Sequence, residues 1–310
     1  MAVTGAVVPA VAPDARTAPA WYTHRLNRVG AYRAAVVLAT LLPRRARLSL
    51  AAALGARLAV WLPAEAAAVR ANVARMAPAL EPARRAALAV DVFRHFAMCF
   101  ADLLTTNRSA GDLSHLLAGV DGAGHLSSQD PARGLVIITA HVGNWELAGR
   151  LLAGRLARPV NVVVAPEADP GVERMLRGGA VPVRFVVRRD PLSVLPLVPA
   201  LRRGEVVAMQ ADRALGGRGD VAVPFFGAEA LFPAGPFRLA RAAGVDVVPA
   251  FCLLGPDRRY TIALGAPISP ARDGEHLALS RWVALLEATL SARPEQWFNF
   301  FDVWSPRSAR

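Results

Sequence analysis

The sequence predicts an α/β fold in which a mixed, mostly parallel sheet is flanked by helices, with membrane-associated helices ahead of it. Three observations predict this. From residue 135 onward, short apolar β-type runs alternate with helical stretches, the pattern of a sheet with helices on its faces. Hydrophobic residues make up 54% of the 310-residue chain, enough for a large core. Near the N-terminus, two apolar stretches carry arginines at their edges, and neither reaches the roughly 20 apolar residues of a spanning helix.

The elements are read in order. Residues 1–28 open with an Ala/Pro/Val-rich stretch lacking an early basic cluster and an apolar centre, which reads as a disordered tail. Residues 29–42 are mostly apolar and are stopped by Pro43-Arg44-Arg45. Residues 46–62 place Leu50, Leu54, Leu58 and Leu62 at helical spacing beside Arg47 and Arg57. Arginines flanking an apolar face suit helices lying in a membrane interface, the alternative being packing onto the main domain. Pro82 opens a long helix at its first turn, with Leu88, Val92, Phe96, Cys99 and Leu103 as its buried stripe. Residues 29–106 thus form a helical, membrane-associated region, and residues 107–310 an α/β domain. Within that domain, 107–134 hold turns and a short polar helix. Strands are predicted at 135–140, 160–165, 183–187, 205–210, 245–252 and 259–264. Helices are predicted at 144–156, 168–178, 191–203, 235–243 and 275–291. An aromatic segment, Pro294 to Trp304, closes the chain, either packed on the core or at headgroup level.

Charge narrows the partners. The formal net charge is +12, and all 36 basic residues are arginine. Such a surface suits acidic partners, and the guanidinium fork suits phosphate. Nucleic acid is excluded: there is no zinc-finger spacing, basic zipper or aromatic–basic interleaving. An anionic membrane surface fits better. Cys99 and Cys252 are isolated in apolar surroundings and read as core residues of a chain in a reducing compartment.

The candidate chemistry centres on Leu135-Val-Ile-Ile-Thr-Ala-His141-Val-Gly143-Asn144-Trp145-Glu146. An apolar strand ends on a histidine, a glycine breaks it, and a helix follows with a carboxylate in its first turn. That places an imidazole at the carboxyl end of a strand, where α/β sheets build sites. A histidine oriented by a carboxylate is the usual general base near neutral pH. The competing reading makes Glu146 a helix cap and His141 a strand-end residue. No Gly-x-Ser-x-Gly elbow is present, so the base is expected to act on a substrate hydroxyl. No second histidine has the spacing of a metal helix, and neither metal nor cofactor is expected.

These residues carry a family resemblance. His141-Val-Gly-Asn-Trp-Glu146 resembles the His-x4-Asp/Glu signature of bacterial lipid A late acyltransferases and their lysophospholipid acyltransferase relatives. Gln210-Ala-Asp212-Arg213, Val223-Pro-Phe225-Phe226-Gly227, Ala234-Gly-Pro-Phe-Arg238 and Val247-Val-Pro-Ala-Phe251 follow in the family's order. Upstream, Arg70-Ala-Asn72-Val73 and Phe93–Asp102 are similar to its leading helices. The resemblance spans roughly residues 30–304 and implies a glycerolipid acyltransferase-like fold. One departure concerns the substrate: Val163-Val164-Ala165-Pro166-Glu167 stands where lipid A enzymes carry an arginine in a Tyr-Arg-Pro-like segment.

The resemblance implies O-acyl transfer from an acyl-carrier-protein or acyl-CoA thioester to a hydroxyl of a glycolipid (lipid A-like) or a lysophospholipid, at the cytoplasmic face of the inner membrane. On this reading His141 is the base and Glu146 orients it. Amides at Gly143–Trp145 donate to the oxyanion, and Gly143 and Asn144 face the substrate. Asp212 positions the acceptor, its alternative being an Asx turn. Arg213 holds a phosphate or a structural partner. Phe225, Phe226 and Leu231-Phe232-Pro233 line the acyl slot or pack, and the C-terminal aromatics wall the same groove. Two alternatives stay open: hydrolysis of the same thioester, and a non-catalytic membrane-surface binding protein.

Overall fold

A computed structural model describes residues 29–106, 112–156, 158–166, 171–172, 174, 183–188, 191–214, 216–217 and 219–305. The tail at 1–28, Glu167 and most of the helix expected at 168–178 lie outside the described residues.

Helices α1 (Val29–Leu41), α2 (Arg44–Trp61), α3 (Pro63–Met76) and α4 (Pro82–Thr106) come first. Prolines open α3 and α4, where the missing N–H has no helical partner to lose. In α4, the stripe residues Val92, Cys99 and Leu103 are buried as expected, Leu88 and Phe96 are half-buried, and Phe93, outside the expected stripe, is buried too. The α2 backbone lies directly on α4: a Cβ on Gly55 would stand 2.4 Å from the Phe93 carbonyl oxygen. On the outer side Leu50, Leu54, Val60 and Trp61 stay exposed. Among the described residues no single helix is long and apolar enough to cross a membrane. The α2–α3 pair passes on length and composition together, but it is bent by 100°.

The α/β part contains β1 (Leu117–Asp121), α5 (Ala123–Ser127), β2 (Leu135–Thr139), α6 (Trp145–Leu156), β3 (Val160–Val164), β4 (Arg184–Val187), α7 (Leu197–Arg202) and β5 (Val206–Gln210). Then follow β6 (Asp220–Phe225), β7 (Ala228–Pro233), α8 (Gly235–Ala243), β8 (Val247–Leu254), β9 (Tyr260–Leu264), α9 (Pro270–Asp273) and α10 (Glu275–Ala292). Seven strands form one sheet in the order β1-β9-β8-β2-β5-β3-β4. All neighbours are parallel except β8 and β9. The fold is the expected α/β class with a mixed, mostly parallel sheet. Central β2 is covered on both faces. Val136 and Ile138 face Phe237, Trp282 and Leu286, while Leu135 and Ile137 face the side of Leu147 and Leu151.

Three elements differ from expectation. β1 lies in the stretch read as turns; its Gly119 and exposed flanks hide an edge strand from an apolar-run criterion. The β6–β7 hairpin forms a separate two-stranded sheet around Phe225-Phe226-Gly227-Ala228. Its two-residue turn has φ of 49° at Phe226 and 74° at Gly227, both in the left-handed region that such a tight hairpin needs. The helix expected at 191–203 divides into a 3-10 turn, Pro191–Val194, and α7. Pro196 lies at the break.

Candidate active site

His141 and Asp212 each stand two residues beyond the end of their strands, β2 and β5, which are parallel neighbours with Thr139 opposite Gln210. The same register carried two residues further sets His141 opposite Asp212. Side chains two apart along a strand share a face, so the meeting follows from the ladder. Nδ1 of His141 lies 2.7 Å from Oδ1 of Asp212, and the His141 backbone N–H donates to Oδ2 at 3.0 Å.

Asp212 is fully buried. Its Oδ2 also accepts from Trp297 Nε1 at 3.0 Å and from Asn299 Nδ2 at 3.1 Å. Burial alone works to raise its pKa; His141, through its charge and its two hydrogen bonds, and nearby Arg213 outweigh it and hold the carboxyl below the usual carboxylate range. An ionised carboxylate only accepts, so Nδ1 carries the proton and Nε2 keeps a free lone pair. Burial pushes the imidazole down to about 4, with Arg213 adding to the shift and Asp212 opposing it. The resting ring is therefore neutral at physiological pH. Its side chain is 12% exposed, and its ring meets Trp145 edge-on at 4.8 Å between centroids.

The C-terminal aromatic segment builds this pair, a role its composition did not reveal. Phe298 N–H donates to the His141 carbonyl at 2.8 Å, and Gly143 N–H to the Gln296 carbonyl at 2.9 Å. Asn299 takes Arg213 Nε on its Oδ1 at 2.7 Å while its amide nitrogen holds Asp212. Arg213 also donates to the Phe298 carbonyl at 2.9 Å and lies over the Phe301 ring. Buried Asn72 donates to the Asn299 and Phe301 carbonyls, which ties α3 to the same strap. The available signal was Gln296, Trp297 and Asn299 interleaved with phenylalanines, polar groups that need partners once buried.

Several expected roles are corrected. The carboxylate on the ring's Nδ1 is Asp212, not Glu146. Glu146 is exposed in the first turn of α6, where the helix dipole favours an acid. Asp212 is accordingly a ring partner rather than a group aimed at an acceptor. Gly143 has φ of 59°, and a Cβ there would stand 2.0 Å from the Cys252 carbonyl oxygen. It allows strand and loop to approach, not a substrate. Its N–H and that of Asn144, which donates to the Cys252 carbonyl at 2.8 Å, are committed and take no oxyanion. Asn144 is buried and caps α6: its Oδ1 accepts from Leu147 N–H at 3.2 Å. Arg213 holds the strap through Asn299 and the Phe298 carbonyl. Phe225 is fully buried against Phe232, Trp297 and Trp304, so it supports the site from behind. Phe226 sits in the hairpin turn, its N–H on Glu287. Both cysteines are buried and unpaired.

Comparison with known proteins bears out the family resemblance. Residues 23–305 match the family of bacterial lipid A biosynthesis acyltransferases. A phosphatidylinositol mannoside acyltransferase of Mycobacterium tuberculosis (strain CDC 1551 / Oshkosh) is 29% identical over 213 residues, 63% of this chain and 61% of that protein. The protein of the same description in Mycolicibacterium smegmatis is 29% identical over 195 residues, 57% of this chain and 59% of its own. The chain spans about three fifths of the length of the curated relatives it matches. Among solved structures, the 1-acyl-sn-glycerophosphate acyltransferase PlsC of Thermotoga maritima aligns with a TM-score of 0.38 at 15% identity, over 83% of this chain and 100% of that one.

Proposed function

We propose that this chain, which belongs to the bacterial lipid A biosynthesis acyltransferase family, moves a fatty acyl group from a thioester donor to a hydroxyl of a glycolipid. The observation that carries the reading is the neutral His141 ring with Nδ1 fixed on buried, ionised Asp212. In the proposed reaction Nε2 takes the proton of the acceptor hydroxyl while its oxygen attacks the thioester carbonyl. Asp212 stabilises the imidazolium that forms. The tetrahedral oxyanion collapses, the carbon–sulfur bond breaks, and the thiolate takes the proton back from Nε2. The Trp145 amide, at the first position of α6, is our candidate oxyanion donor, because first-turn amides lack helical acceptors and the dipole favours negative charge. Glu146 lies in the same turn and is assigned a lesser, electrostatic part.

The donor is acyl carrier protein or acyl-CoA, both acidic and matched to the arginine surface. The relatives' description favours a phosphatidylinositol mannoside-type glycolipid over lipid A as acceptor, in keeping with the absent Tyr-Arg-Pro-like arginine. The chain works at the cytoplasmic face of the inner membrane. It is held there by exposed Leu50, Leu54, Val60 and Trp61 and by neighbouring arginines.

The test uses purified full-length protein, each donor, and glycolipid acceptor in anionic liposomes, with free fatty acid and esterified product measured separately. Transfer is expected, and His141→Ala should lower it by about 10²–10⁴-fold, the range for losing a general base. Free fatty acid alone would replace transfer with thioester hydrolysis, and unchanged activity in the variant would remove His141 from the chemistry. In the same preparation the protein should pellet with the liposomes. Leu54→Asp with Trp61→Asp should reduce pelleting; an equal yield would refute the docking face.

A further inference from the structure

A second buried polar cluster lies behind the site. Asp102 in α4 is fully buried. It takes Arg44 through two hydrogen bonds, Nε to Oδ1 at 3.1 Å and Nη2 to Oδ2 at 2.6 Å, and Arg47 at 3.3 Å. Its Oδ2 also accepts the Tyr260 hydroxyl at 3.0 Å. Tyr260 is buried in β9 and accepts from Asn144 Nδ2 at 3.2 Å. The same nitrogen donates to the Cys99 carbonyl at 3.1 Å. Asn144 Oδ1 then caps α6 at Leu147.

The direction of this chain is fixed at one end. A carboxylate held by two guanidiniums only accepts, so the Tyr260 hydroxyl must donate to it. With its proton spent there, the hydroxyl offers a lone pair toward Asn144. The amide must present its NH2 to that lone pair, which turns its oxygen to the Leu147 N–H. A flipped amide would set NH2 against the helix N-terminus and lose the cap. Asn144 is three residues from His141 and opens the helix whose Trp145 ring meets the imidazole.

We infer that Asp102 and Tyr260 are positioning residues for the reaction: through the polarity of their hydrogen bonds they set the Asn144 amide, and through it the first turn of α6 beside His141. The arginines anchoring the chain belong to α2, so the N-terminal helices take part in shaping the site. The inference rests on the acyl-transfer reading only for its activity readout.

Tyr260→Phe is the sharpest test, since it removes the hydroxyl and keeps the packed ring. The full chain is measured for kcat and KM with the thioester donor and liposome-borne glycolipid, and for hydrogen exchange of the amides at 145–148. Loss of one hydrogen bond predicts about a fivefold fall in kcat and a similar rise in exchange at those amides, with KM within about twofold. Asp102→Asn, whose amide can donate and reverse the chain, should raise exchange at the same amides. For Tyr260→Phe, unchanged kcat, or exchange that rises uniformly across the molecule, overturns the inference. If wild type and His141→Ala both lack transfer, the acyl-transfer reading has failed, and exchange decides alone: faster at 145–148 upholds the positioning role, unchanged overturns it.

Discussion

Two fully buried aspartates make opposite use of the same charge. Asp102 meets its cations directly, with Arg44 and Arg47 on the carboxylate. Asp212 has no guanidinium on it among the described contacts: Arg213 is held one residue away, through the Asn299 amide. Neutral donors satisfy Asp212, Arg213 acts on its charge only from a distance, and the carboxylate stays turned to the imidazole. The first arrangement is complete in the resting protein. The second is completed only when His141 takes a proton. A buried ion pair contributes chiefly by not being broken, whereas a buried carboxylate with neutral donors is poised to stabilise new charge.

The largest effects should separate the two. Asp212→Asn should lower turnover by about 10³–10⁴-fold, because an amide on Nδ1 favours the wrong tautomer and cannot stabilise imidazolium. Its stability cost should be smaller, about 1–3 kcal/mol, since only one or two hydrogen bonds become mismatched. Asp102→Asn should reverse the balance. Two poorly exposed guanidiniums lose their counter-charge, a loss of about 3–5 kcal/mol, with a far smaller fall in turnover. Urea unfolding and steady-state rates on both variants check this. Matching profiles would erase the distinction.

The same contrast shows what the sequence could and could not tell. Interior parallel strands are continuous apolar runs, so six strands of the large sheet were legible within a residue or two at most ends. Edge strand β1 and the hairpin, interrupted by Gly119 and Pro224, were not. His141 was legible because it ends such a run. Its partner was misassigned to Glu146 because nearness in sequence stood in for nearness in space. Asp212 also ends a run, yet only the strand order, with β5 beside β2, brings the two ends together. That order is a property of the packed whole. Trp297 and Asn299 were hidden for the same reason, supplied by a strap more than 80 residues further on.

Acid should act on the Asp212 region next. The His141 pKa is depressed in the folded state to about 4 from the ordinary 6.5. Between those values the unfolded chain binds more protons than the folded one. Stability from the buried neutral ring is therefore full above about pH 6.5 and is lost as pH falls toward about 4. Asp212, also depressed, adds a further loss as pH falls below its ordinary 3.8. The unfolding free energy of wild type relative to His141→Gln should shrink across the first window. A difference that stays flat from about pH 7 to pH 4 would show that the ring is not held neutral by burial.

The smallest effect expected is at Glu146. If the exposed carboxylate oriented the ring, Glu146→Gln would act as Asp212→Asn does, through the wrong tautomer. With Nδ1 already on Asp212, the substitution leaves tautomer and ring position alone. It removes a negative charge from the first turn of α6, worth about 0.3–1 kcal/mol at an exposed site and screened by salt. Turnover should therefore fall by less than about tenfold, and the acid limb of the rate profile should keep its position. Stability should drop slightly at low ionic strength and recover part of the difference in salt. A fall in turnover equal to that of Asp212→Asn would return the orienting role to Glu146 and leave the buried aspartate a positioning group, as Asp102 is.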